Sequence, residues 1–172
     1  MSEYHPIWIW KKSYGGWKAL FLSSYFLSSF VLTALCAPLW LMQQDGSFLW
    51  PQYPIAIMPS LLSFSIGGFA IFLALSNGRM LDAAREDGVD DSLYMSVCSV
   101  FFNAIIFQIS SILLALILLA LSKIGPHLLL KIYSMIGYFV FLYSIISVLA
   151  IAVSLLQLAQ LINRADRNQT NR

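Results

Sequence analysis

Residues 92–122 read SLYMSVCSVFFNAIIFQISSILLALILLALS, 31 positions without one Asp, Glu, Lys or Arg. A helix needs about 20 consecutive apolar residues to cross the hydrocarbon core of a bilayer, so this stretch reads as a membrane span. Three further uncharged windows occupy 19–44, 46–78 and 132–163, and all eighteen charged residues of the 172 fall outside the four. Composition agrees: 59% of residues are hydrophobic and 10% charged, with a mean hydropathy of +0.77. A soluble domain carries about 25% charged residues, so this chain lacks the charge to cover a water-facing surface. A soluble enzyme, a nucleic-acid-binding domain and a disordered tail are excluded on this arithmetic.

The windows organise the chain into an all-α integral membrane protein with four transmembrane helices. Residues 1–18 form an N-terminal segment, 19–163 a membrane domain, and 164–172 a tail. The spans are expected at about 19–42, 54–77, 93–121 and 128–162. The apolar run Ala19–Met42 exceeds the 7–15 residues of a signal-peptide core, so it reads as a retained helix. Pro54 and Pro59 bracket the entrance to the second span; proline is accepted in a first helical turn, so the regular helix begins at one or the other. Cys36 lies late in span 1 and Cys98 early in span 3. That places them at opposite faces of the membrane, beyond the roughly 7 Å Cα separation of a disulfide.

Orientation follows from basic residues near the span ends. Lys11, Lys12, Lys18, Arg79, Arg85, Arg164, Arg167 and Arg172 fall on one side, against Lys123 and Lys131 on the other. Both termini are therefore expected in the cytoplasm, with a bacterial inner membrane as the location. The N-terminal segment mixes Trp8, Trp10 and Trp17 with its lysines, the composition of an interfacial anchor or a surface-docking segment. Trp40 and Trp50 flank the first outer loop and are expected to mark the opposite interface.

The absent residues restrict the chemistry. No uncharged window contains His, and His5 and His127 lie at span ends. Without an intramembrane acid or base there is no proton relay of the usual kind. Bis-His haem and zinc sites lack ligands, and no CxxC pair or Ser/His dyad falls within a span. The expectation is a non-enzyme with no cofactor and no metal.

What remains is polar and uncharged. Ser96, Ser99, Asn103 and Ser110 on span 3 fall within about 60° of one another at 100° per residue. Gln108 points to nearly the opposite face and needs its own partner. On span 2, Ser60, Ser63, Gly67, Ala70 and Ala74 make a stripe of small residues, with Gly68 adjacent. Two readings of these stripes stay open: a hydroxyl- and amide-lined ion path shared among subunits, or close helix packing, which small residues permit. On the first, Ser96, Ser99, Asn103 and Ser110 are the expected lining and span 2 packs through Ser63, Gly67 and Gly68. The 77–91 loop carries Arg79, Asp82, Arg85, Glu86, Asp87, Asp90 and Asp91. Its i,i+3 charge pairs suit a cytoplasmic continuation of span 2, and Arg79, Asp82, Arg85, Glu86, Asp90 and Asp91 are the candidate pore mouth or partner surface. The spacing of its acids does not match an EF-hand.

The segment PSLLSFSIGGFAIFLA, residues 59–74, with its polar extension to residue 91, resembles one in the membrane effectors of Hailong-type anti-phage defence. Ser63, Gly67, Gly68 and Arg79 are the matching positions. The resemblance implies an oligomeric channel that depolarises the inner membrane and is held shut until a cytoplasmic partner releases it. Two functions are thus expected from different classes. One is a homo-oligomeric ion-conducting pore subunit acting as a defence effector. The other is a non-conducting anchor or regulatory subunit that binds a cytoplasmic protein through the 79–91 loop. The expected partners are the lipid bilayer, further copies of the chain and that protein, with no direct nucleic acid contact.

Overall fold

The computed structural model describes residues 22–44, 46–75, 93–122 and 127–170. The N-terminal segment 1–18 and the 79–91 loop, with Arg79, Asp82, Arg85, Glu86, Asp90 and Asp91, lie outside the described residues. The described chain is mostly helical. Its elements are α1 (Ser24–Leu35), α2 (Ala37–Leu41), β1 (Gln43–Gln44), β2 (Ser47–Phe48), α3 (Gln52–Leu75), α4 (Leu93–Leu121) and α5 (His127–Thr170).

Three of these helices are long and apolar enough to cross a membrane: Gln52–Ala74, Tyr94–Leu121 and Leu128–Gln160. Even the shortest, at 23 residues, reaches about 34 Å at 1.5 Å per residue, past a core of about 30 Å. Helix α4 has the bounds expected for the third span. Helix α5 continues beyond residue 162 to Thr170. Lys131 belongs to this helix rather than to the preceding turn, and it is exposed, so its long stem can carry the charge toward water.

The first apolar window is interrupted. Ser23 starts α1 by accepting the Tyr25 amide at 3.3 Å, and the helix ends at Leu35 after 12 residues. Pro38 has no N–H to give, and its ring crowds the carbonyl four residues back, so the chain pivots at Cys36 and resumes as the five-residue α2. The Thr33 carbonyl accepts the Trp40 indole N–H at 2.9 Å. The 12-residue helix alone is too short to span.

A two-stranded antiparallel hairpin follows, pairing Gln43 with Phe48 and Gln44 with Ser47. Gly46 takes a φ of 75°, which a residue with a Cβ adopts only with strain. Helix α3 begins at Gln52, before either proline expected at its start. Pro54 falls in the first turn and Pro59 inside the helix, where it withdraws one backbone donor.

Helix α4 packs against α3 and α5, and α5 also carries α1 and α2. The core divides in two. One cluster, at the hairpin end, joins Phe48, Trp50, Met58, Leu118, Tyr138 and Phe141; the other joins Phe72, Val97, Phe101, Ala104, Ile151 and Leu158. Cys36 packs on the first and Cys98 on the second, and both thiols are free. Trp50, expected at an interface, is wholly buried. The hairpin turns it inward, and its N–H finds a partner there.

Candidate functional site

Several polar side chains are buried inside the bundle, and many large apolar ones are exposed on its outer surface. Ser65, Ser99, Asn103, Gln108, Ser111, Ser134, Ser144 and Ser147 are buried, while Phe64, Ile71, Leu113 and Leu149 are more than half exposed. In hydrocarbon an unsatisfied polar group costs several kcal/mol, so polar residues turn to one another and apolar ones to lipid. The distribution is the one a lipid-facing bundle requires.

Within the bundle the polar residues form separate pairs. Asn103 of α4 donates from Nδ2 to the Tyr143 hydroxyl of α5 at 3.1 Å. The Tyr143 ring is held edge-on by Phe107 at 4.5 Å and by Phe26 at 5.9 Å. Gln108, five residues on from Asn103, faces α3 instead and donates from Nε2 to Ser65 Oγ at 3.0 Å. The rotation of about 140° between them at 100° per residue sends one amide to each neighbouring helix. Gln108 Oε1 and Ser111 Oγ are buried without a hydrogen-bond partner.

A third group clasps the hairpin to α5. Trp50 Nε1 donates to Ser134 Oγ at 2.7 Å, and that hydroxyl donates to the Trp40 carbonyl at 2.7 Å. One serine is thus acceptor and donor at once. Ser144 Oγ lies 2.7 Å from the Phe141 carbonyl and 3.3 Å from Met58 Sδ, a lesser tie between α5 and α3.

The two stripes expected from sequence are not brought together. On α4, Ser99 and Asn103 face the bundle interior and are buried, while Ser96 and Ser110 are half-buried. On α3, Ser60, Ser63, Gly67, Ala70 and Ala74 are all exposed on the protomer's outer surface. Ser63 Oγ donates to the Pro59 carbonyl at 2.9 Å. A Cβ built on Gly67 would meet nothing within 4 Å, whereas Gly68 has the Phe101 ring 3.6 Å from that position. Gly68 therefore serves packing inside the protomer, and Gly67 leaves a shallow notch outside it.

Sequence reasoning missed Ser65, Ser134 and Tyr143 as the partners of Gln108, Trp50 and Asn103. The only advance signal was the requirement that each amide or indole N–H find an acceptor. Among the described residues no cluster of His, Cys, Asp or Glu could hold a metal ion. No family model, curated protein or solved structure matches the chain.

Proposed function

We propose that the protein is the subunit of a homo-oligomeric membrane pore, assembled around the exposed small-residue face of α3. The observation that carries this reading is the outward placement of Ser60, Ser63, Gly67 and Ala70 on a helix long enough to span. Small residues let helices approach closely, and the Ser60 and Ser63 hydroxyls are the exposed polar groups an ion path along a shared axis would use. In this reading the 19–42 segment supplies a fourth crossing. Both termini and the 79–91 loop then lie in the cytoplasm of a bacterial cell, and the loop receives the signal that opens a depolarising effector. No catalytic step is involved. Conductance of purified protein in planar bilayers tests the proposal; a silent bilayer at verified insertion overturns it.

A second reading is supported by the closure of the α4 amides within one protomer. Asn103 is hydrogen-bonded to Tyr143 and Gln108 to Ser65, which leaves neither amide facing outward for ions. On that reading the chain is a non-conducting anchor for a cytoplasmic protein. Loss of a stoichiometric partner on neutralising Asp82, Glu86, Asp90 and Asp91, without any conductance, would decide for the anchor.

A further inference from the structure

The break between α1 and α2 opens a groove against α5, and we propose that this groove binds one acyl chain of a membrane phospholipid. The cavity measures about 340 Å³ and is lined by Phe26, Phe30 and Ala34 of α1, Trp40 of α2, and Met135 and Phe139 of α5. It exists because α1 stops at Leu35: the pivot at Cys36 carries Trp40 over α5, where its carbonyl is fixed by Ser134.

The lining selects the occupant. Thr33 is the one polar residue among those that line it, and its hydroxyl is spent on the Ser29 carbonyl at 2.7 Å. The Trp40 indole N–H is spent on the Thr33 carbonyl. The walls therefore offer a ligand no free donor, and the fitting chemistry is an alkyl chain. An apolar cavity of about 150 Å³ takes the six carbons of benzene, so 340 Å³ accommodates about a dozen carbons, most of a phospholipid tail. The α5 wall lies within the span Leu128–Gln160, at the depth where acyl chains are the surrounding medium. The inference stands whether or not the protein conducts.

The test uses the full chain in vesicles of phosphatidylethanolamine and phosphatidylglycerol containing a phospholipid with a diazirine in its acyl chain. Photolysis followed by peptide mapping is expected to enrich adducts at Phe30, Ala34 and Ile136 over the exposed α4 position Leu113. The enrichment should survive a detergent wash before photolysis. Ala34→Phe and Ile136→Trp, both at exposed positions on the groove wall, are each expected to abolish the groove adducts while labelling at Leu113 persists. Circular dichroism and gel filtration identify a variant that has lost its fold, and the other then carries the comparison. Equal labelling of the groove and Leu113, or groove labelling that both substitutions leave intact, overturns the proposal. So does disulfide formation under an added oxidant between copies carrying Ala34→Cys on a Cys36→Ser/Cys98→Ser background, which would make a second protomer the occupant.

Discussion

Trp50 lies across Gly137: a Cβ built at residue 137 would stand 2.7 Å from Trp50 Cη2 and 3.0 Å from Cζ2. The indole occupies the space a side chain on α5 would need, and its N–H reaches Ser134 on the same helix. Gly137→Ala should therefore cost about 1–3 kcal/mol, the range for overpacking a filled core. A lower unfolding midpoint in detergent reads it. The double variant Gly137→Ala/Trp50→Leu should be less destabilised than the two single changes predict when added, because they contend for one volume.

Asn103→Leu and Tyr143→Phe should act as one lesion. A double-mutant cycle on unfolding is expected to give a coupling of about 0.6 kcal/mol, and at most about 1.7, the range for hydrogen bonds between membrane helices. Any change in conductance should follow both variants alike, since removing either partner frees the other. Additive effects would separate the two residues.

Ser65→Ala and Ser111→Ala should differ in sign or size although both serines are wholly buried. Loss of Ser65 strands the Gln108 amide N–H at a cost of about 1–3 kcal/mol. Loss of Ser111 removes a hydroxyl that has no partner, so that variant is expected to be neutral or slightly stabilised. Parallel thermal melts check the pair.

Gly67→Leu should leave the protomer's fold intact and weaken association between copies. A Cβ there meets nothing within 4 Å, yet a leucine would fill the notch at which two α3 helices are proposed to approach. Energy transfer between labelled copies in vesicles is expected to fall while helical content is unchanged. Unaltered transfer would assign this face to lipid.

The long helices were legible because charge brackets them. Asp91 and Lys123 confine the window that became α4, and no tertiary information was needed. The break near Pro38 falls inside the span expected at 19–42, and proline accounts for it by withdrawing a donor and crowding the preceding turn. The restart as α2 depends on Trp40 reaching back to Thr33, which is a contact in space. The interior was harder to read. Helices that are apolar all round give periodicity little to act on, so the sequence separated the Asn103 face from the Gln108 face without saying which helix each would meet. Trp50 shows the same limit: an aromatic beside a loop fits an interface by composition, and only the hairpin's inward turn buries it.

The Ser134 clasp also sets an order of events during synthesis. Trp50 precedes Ser134 by 84 residues, and Trp40 precedes it by 94. At about 5–20 residues per second, the indole of Trp50 waits roughly 4–17 s after it is made before its acceptor exists. Through that interval the hairpin has no anchor on α5, and Gly137 has not yet appeared to receive the ring. The hairpin end of the bundle is therefore among the last parts to close, and a nascent chain halted before α5 emerges would hold an unburied tryptophan within reach of the insertion machinery.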